Sequence, residues 1–231
     1  MPMPYYVSPE QMMQDKAEYA KKGIAKGRSI VVMEYNQGIV LVADNPSSLY
    51  KISEVYDRIA FAGAGRYSEF ENLRKQGIRH ADMKGFIYSR DDVNAKSLVN
   101  AYSQALGTVF SQETKPLEVE ILVVAVGIGE APNEIYRVSF DGSIFDEKGF
   151  TVIGGKSESV MTKLKSRYMT APSASSLQEV VVSCVTAMGE VNGQKLSYEG
   201  LEVAILSKAV AGRVFRRLPP SELAQYLNPN I

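Results

Sequence analysis

Apolar residues along this chain occur in two patterns: short runs with the length of a β-strand, and longer segments with helical spacing. Two apolar segments at 29–35 and 39–43 flank Asn36-Gln37-Gly38, a short turn whose glycine suits a positive φ, and together they predict a β-hairpin. Two further strands are predicted at 51–56 and 59–62, ahead of a segment with helical spacing.

The first helix is predicted to cover 8–23. Ser8-Pro9-Glu10-Gln11 places a serine at the N-cap, a proline at the first helical position and a glutamine where a capping box needs it. Small side chains at Ala17 and Ala20 continue a narrow stripe along one face, which suits close packing against another backbone. Gly23 or Gly27 is expected to end the helix.

The rest of the chain alternates between groups of helices and groups of strands. Helices are predicted at 67–78, 98–110, 160–168, 176–188 and from 219, and strands at 120–126, 134–140, 151–153, 201–206 and 213–217. Hairpin-length links between strands, with helices grouped in pairs, predict an α+β fold of antiparallel sheets between helix pairs. One domain covering 1–231 is the economical interpretation, because no repeat, linker or low-complexity tract interrupts the pattern.

Composition excludes several classes of function. The 26 basic and 26 acidic residues cancel, so the net charge gives no reason to expect a nucleic acid or an anionic membrane as partner. A single cysteine, Cys184, and a single histidine, His80, exclude an internal disulfide and a Cys/His zinc cluster; no metal or cofactor is expected. The first residues lack the features of a secretory signal, and no run approaches the ~18 apolar residues of a membrane span. A soluble cytoplasmic protein is therefore predicted.

Three features could carry chemistry, and each has a simpler interpretation. Gly63-Ala64-Gly65 lies between a strand and a helix, where a dinucleotide fingerprint would sit, but the third glycine position is Ser68. Close packing of the helix on the sheet is favoured over nucleotide binding. His80 lies in a polar run and is expected at the surface, whereas Cys184 lies on an apolar stripe and is expected to be buried and unreactive.

Segments spread over most of the chain, from Ser8 to about Leu206, resemble the proteasome subunit family. Each is common alone, but together they are specific: Glu18-Tyr19-Ala20 with Lys22-Gly23, Gly38 to Asp44, Lys51-Ile52 with Asp57 and Arg58, Ala62 to Gly65, Val126-Gly127, and Asp141-Gly142-Ser143. The resemblance implies a four-layer αββα sandwich of the N-terminal-nucleophile hydrolase type. It also implies that the helix before the first strand is the one that distinguishes α subunits from catalytic β subunits.

Membership of this family would place the chain in a ring. The resemblance implies three kinds of partner: further copies of the chain in a homoheptameric α ring, proteasome β subunits, and the C-termini of ring ATPase activators. Because the N-terminal helices of such subunits pack side by side across the ring, Ala17 and Ala20 are expected contacts in ring assembly or in binding to the β ring. The short segment 44–51 and the lack of a Tyr-Asp-Arg sequence near the N-terminus are typical of the actinobacterial branch.

The resemblance also bears on catalysis. Catalytic β subunits use an N-terminal threonine that self-cleavage exposes. Counting back from Asp44, which resembles the catalytic-site carboxylate, places the nucleophile near Arg28 or Ser29, where no threonine stands. A non-catalytic subunit is therefore implied. The alternative is an active N-terminal-nucleophile hydrolase that cleaves before Ser29 and uses Ser29, Asp44 and Lys51.

Two positions and one segment are expected to carry a gating function. In α subunits the lysine that aligns with Lys51 lines a pocket between neighbours and receives the C-terminal carboxylate of an activator, and Gly65 resembles the small residue on the pocket wall. The opening segment precedes the Ser8 cap and holds two prolines that prevent helix continuation. It is expected to form a mobile gate over an axial pore and consists of Met1, Pro2, Met3, Pro4, Tyr5, Tyr6 and Val7.

Overall fold

Two antiparallel sheets are stacked face to face in the computed structural model, which describes residues 8–168, 172–210 and 213–227. Within those residues each sheet has five strands, and helices cover both outer surfaces. The α+β fold of antiparallel sheets between helix pairs, predicted from the order of elements, is confirmed, and so is the four-layer sandwich that the resemblance implies. The predicted gate, 1–7, lies outside the described residues.

The elements of the described residues are as follows. The helices are α1 Pro9–Ala25, α2 Tyr67–Ile87, α3 Ala95–Gln112, α4 Ser157–Tyr168, α5 Leu177–Asn192 and α6 Pro220–Leu227. The strands are β1 Ile30–Tyr35, β2 Gly38–Asp44, β3 Ile52–Tyr56, β4 Ile59–Gly65, β5 Val119–Ala125, β6 Glu134–Val138, β7 Ile144–Glu147, β8 Phe150–Ile153, β9 Leu201–Ser207 and β10 Phe215–Arg217. One sheet has the order β10-β9-β2-β1-β8, and the other β3-β4-β5-β6-β7.

The central strands of the first sheet are apolar throughout because their side chains alternate between two covered faces. In β1, Ile30 and Val32 point between the two sheets, whereas Val31 and Met33 point towards α4 and α5. Every residue of β2 is buried. Because both faces of the first sheet are covered, its central strands appear in the sequence as continuous apolar runs.

The helical layers use the apolar faces that the spacing predicts. Phe70, Leu98 and Leu106 of α2 and α3 pack on the second sheet. Cys184 lies within the buried face of α5 on the first sheet, and burial raises the pKa of its thiol to about 12, so the predicted inert core role is confirmed.

Helix starts follow the capping signals, with one difference. The Ser176 hydroxyl accepts from Glu179 N while the Glu179 carboxylate accepts from Ser176 N, which completes the capping box predicted there. At Ser8 the hydroxyl accepts from Gln11 N at 3.2 Å, but the Gln11 side-chain amide donates forward to Asp15 at 2.7 Å.

The first helix extends past Gly23 and ends just before Gly27, the second of its two predicted ends. Gly23 lies inside α1, which continues to Ala25 because Ile24 packs with Ala20 and Phe140 in a small core cluster. A Cβ built on Gly23 would lie 2.2 Å from Oε2 of Glu118, so this glycine serves close packing rather than helix termination.

Strand β7 was not predicted. Ile144, Phe145 and Asp146 are all exposed, so the segment lacks the apolar alternation by which a strand is detected. It lies at the edge of the second sheet and pairs only with β6 among the described residues.

Candidate functional site

Lys51 lies where the chain crosses from the first sheet to the second. Strand β2 ends at Asp44, and β3 begins at Ile52. Lys51 N donates to Oε2 of Glu202 at 2.8 Å, and the Lys51 carbonyl accepts from Gly63 N at 3.0 Å. The backbone of Lys51 is thus fixed to both sheets.

The Lys51 ammonium group is half-buried beside a carboxylate. Its Nζ donates to the Asp44 carbonyl at 3.4 Å. Burial lowers the pKa of Lys51 below its ordinary value; the negative charges of Asp44 and Glu202 act against this lowering, and the charge of Arg28 adds to it. An ammonium carries three N–H donors. The hydrogen bond described for the Lys51 ammonium is the long one to the Asp44 carbonyl, so the group has donors left to bind an external anion.

The Asp44 carboxylate is occupied by other groups. Arg28 Nη1 donates to both of its oxygens, at 2.8 and 3.0 Å, and Asn192 Nδ2 donates to Oδ2 at 3.4 Å. Asp44 is 3% exposed. Charge-assisted bonds from a guanidinium therefore engage both oxygens of this carboxylate.

Ser29, the nucleophile of the alternative hypothesis, is buried and bonded to backbone. Its Oγ donates to the Gly155 carbonyl at 2.5 Å. Over the described residues, the side chains of Ser29, Asp44 and Lys51 share no hydrogen bond, since the Asp44 carboxylate binds Arg28 and Asn192 instead. The Asp44 backbone links the three: its N donates to the Ser29 carbonyl at 3.2 Å, and its carbonyl accepts from Lys51 Nζ.

Gly65 lies at the same end of the β3–β4 hairpin as Lys51. It is two residues beyond Gly63, which bonds to the Lys51 carbonyl. Its φ is +104°, and a Cβ built on it would lie 2.0 Å from the Glu118 carbonyl oxygen, so only glycine fits. Gly27, just after α1, packs against it, since a Cβ built there would lie 3.2 Å from Gly65 N.

The alanines predicted as ring contacts face the chain's own core. Ala20 is fully buried with Ile24 and Phe140, and Ala17 packs on the edge of that cluster. Ala20 is therefore not available to a neighbouring subunit. The exposed side of α1 carries larger apolar groups, among them Met12 and Tyr19.

The small-residue segment 63–65 serves packing. A Cβ built on Gly63 would lie within 2.6 Å of the Phe70 ring, so this glycine lets α2 approach β4, as its simpler interpretation predicts. His80 is exposed, as predicted.

Sequence reasoning missed two residues of the site, Glu202 and Arg217. Glu202 is 5% exposed on β9, and Arg217 on β10 donates both to it and to the Ile52 carbonyl. The available signal was a carboxylate inside the apolar run 201–206, since a buried charge is rarely tolerated without partners.

Comparison with known proteins decides the family. A family model described as proteasome subunit matches residues 24–206. The chain belongs to the proteasome subunit family. Within it, the chain is 48% identical over 228 residues to the proteasome subunit alpha of Thermomonospora curvata, covering 98% of each chain. The corresponding protein of Thermobifida fusca is 50% identical over 230 residues, covering 98% of this chain and 91% of the relative.

A third proteasome subunit alpha, from Sanguibacter keddieii, is 51% identical over 221 residues, covering 94% of this chain and 86% of the relative. The α-type resemblance proposed from the sequence is thereby confirmed, and so is its actinobacterial character. The two stacked sheets with outer helices are consistent with the N-terminal-nucleophile hydrolase-like fold of proteasome subunits.

The described residues hold neither a candidate membrane span nor a candidate metal site. No helix among them is long and apolar enough to cross a bilayer. No group of three histidine, cysteine or acidic side chains in that part of the chain converges as a metal site.

Proposed function

We propose that this chain is a non-catalytic α-ring subunit of a cytoplasmic proteasome core particle, built as one domain over 1–231. Seven copies form a ring that caps a ring of β subunits, and the β subunits cleave the substrate. The observation that carries this proposal is the pairing of Arg28 with Asp44 at 2.8 Å, near the position where a catalytic subunit needs its nucleophile. The half-exposed Arg28 occupies the buried Asp44 carboxylate, and neither position 28 nor position 29 is the threonine that catalytic β subunits use as nucleophile.

The same proposal assigns Lys51 to activator docking. A partly desolvated ammonium, at the same end of the β3–β4 hairpin as Gly65, suits the terminal carboxylate of a ring ATPase because a charge-assisted bond can form there. Activators bound at several pockets would open the ring.

The test of this assignment is assembly with a β partner. The chain co-expressed with the β subunit of the same organism should form particles with sevenfold rings in negative-stain electron microscopy. Intact mass of the chain in those particles should correspond to an uncleaved N-terminus. A monodisperse monomer would contradict the ring, and a chain that begins at Ser29 would support the active hydrolase instead.

The segment Met1–Val7 is proposed as the gate over the axial pore. Deleting it from the assembled particle should speed hydrolysis of a long unfolded chain such as casein, because the pore would lose its obstruction, while hydrolysis of a short fluorogenic peptide should change less. A seven-residue replacement by Gly and Ser gives the matched control for charge and length. An unchanged casein rate in correctly assembled particles would remove the gating claim.

A further inference from the structure

Glu202 is a buried carboxylate whose partners surround the candidate docking site. It lies on β9 in the first sheet and shares a strand face with Ala204 and Leu206, which pack between the sheets. Its Oε2 accepts from Lys51 N at 2.8 Å and from Asn45 Nδ2 at 2.7 Å. Its Oε1 accepts from Ile52 N at 3.0 Å and from the Arg217 guanidinium.

These four bonds offset the cost of burying the charge. An ionised carboxylate in an apolar interior is unfavourable by several kcal/mol unless its lone pairs are used. Glu202 has two donors on each oxygen, which matches the acceptor capacity of the group. Two of the four donors are the backbone amides of consecutive residues at the start of β3.

Arg217 completes a clamp on the same short segment. Its Nη2 donates to the Ile52 carbonyl at 2.8 Å, and its guanidinium lies 3.9 Å from the centre of the Tyr50 ring. The ion pair between β9 and β10 therefore holds residues 50–52 by their backbone and by an aromatic ring.

This clamp acts on the residue whose side chain is expected to dock a partner. The Lys51 ammonium has one long described contact, to the Asp44 carbonyl, so its position is set by where the backbone places its Cα. We propose that Glu202 is the positioning residue of the docking site: by binding Lys51 N and Ile52 N it holds the ammonium where a partner's terminal carboxylate can reach it. This inference rests on the proposed docking function of Lys51.

The experiment uses assembled α/β particles and a single-site probe. The probe is a fluorescein-labelled peptide of the last eight residues of the same organism's ring ATPase, with a C-terminally amidated twin. Glu202→Gln keeps the side-chain size but places an amide NH₂ against the groups that donate to Glu202. The affinity of the variant particle for the peptide, measured by fluorescence anisotropy, should therefore fall about five- to tenfold. The amidated twin should bind weakly to both particles, with little difference between them.

Coupling to Lys51 separates positioning from a general structural effect. Lys51→Ala alone should weaken the peptide about ten- to a hundredfold, and adding Glu202→Gln to it should cause no further loss, because the residue that Glu202 positions is gone. The matched control is Glu222→Gln. Glu222 binds Arg216, the neighbour of Arg217, through two bonds at 2.6 and 3.1 Å and lies outside the Lys51 contacts, so this variant should bind normally.

The outcomes distinguish this inference from the function on which it rests. If Lys51→Ala binds the peptide normally, the docking function itself is wrong. If Lys51→Ala weakens binding but Glu202→Gln does not, or if the two losses multiply, the positioning role is wrong. Should Glu202→Gln fail to assemble, Arg217→Lys provides the second variant: it keeps the charge but loses the planar contact with Tyr50, and it should weaken the peptide severalfold only when Lys51 is present.

Discussion

Replacing Lys51 by alanine should nearly abolish ATPase-stimulated degradation, while basal cleavage of short peptides by the partner β subunits persists. A lysine–carboxylate bond in a partly desolvated pocket contributes roughly 1.5–3 kcal/mol, which is about ten- to a hundredfold in affinity at each site. A ring activator engages several pockets at once, so the loss compounds across the ring. Both activities are measured on one preparation of assembled particles.

Lys208→Ala is the matched control. Like Lys51, Lys208 donates from its ammonium to a backbone carbonyl, that of Ala131 at 2.9 Å. Lys208 follows β9 and lies beside the β1–β2 turn, at the opposite end of β2 from Lys51. Its removal should leave stimulation intact. Normal stimulation in Lys51→Ala would show that the docking site is wrong. Loss of basal peptide cleavage in well-assembled Lys51→Ala particles would instead favour the active hydrolase.

The same docking site should respond to pH in a predictable direction. Burial lowers the pKa of Lys51, and only the protonated ammonium binds a carboxylate. Stimulation should therefore decline as pH rises through this lowered pKa, before an ordinary exposed lysine would lose its proton. Lys51→Arg, which stays charged, should restore docking only in part at neutral pH, because a planar fork replaces a point charge, but its residual docking should persist to higher pH.

Most of the fold could be predicted because its strands and helices carry strong local signals. The buried run of β2, the turn at Gly38 and the capping box at Ser176 each specify their element within a few residues. Strand β7 could not be found this way, since its residues are largely exposed and only its pairing with β6 defines it as a strand.

The sequence allowed some residues of the candidate site to be named, but not the contacts that they make. Lys51 and Gly65 follow from the resemblance to proteasome subunits, and the structure brings both to one end of the β3–β4 hairpin. Glu202 could not be assigned from sequence, because it lies 151 positions from the Lys51 amide that it binds. Ala20 was predicted as a contact with a neighbouring subunit, but it packs inside its own chain. A small residue on a helix predicts close packing without indicating whether the partner belongs to the same chain.

The packing of α1 on the second sheet depends on the absence of a side chain at Gly23. A Cβ there would lie 2.2 Å from Oε2 of Glu118 and 2.7 Å from its Cβ and Cγ. Glu118 cannot easily move aside, because Arg66 and Lys115 hold its carboxylate at 2.6 and 3.2 Å. The contact therefore fixes the height of α1 above β4 and β5.

Gly23→Ala should therefore impair ring assembly strongly while each protomer still folds. Overpacking of this kind costs roughly 1–3 kcal/mol, and displacing α1 is the easiest relief because most of its side chains are exposed. Gly107→Ala in α3 is the matched control: its Cβ would lie 3.5 Å from the Asp141 carbonyl, an ordinary contact, and alanine favours a helix. Gel filtration of each variant with the β subunit gives the yield of full-size particles, and thermal melting reports the fold. Full-size particles in normal yield from Gly23→Ala would show that the position of α1 does not control assembly.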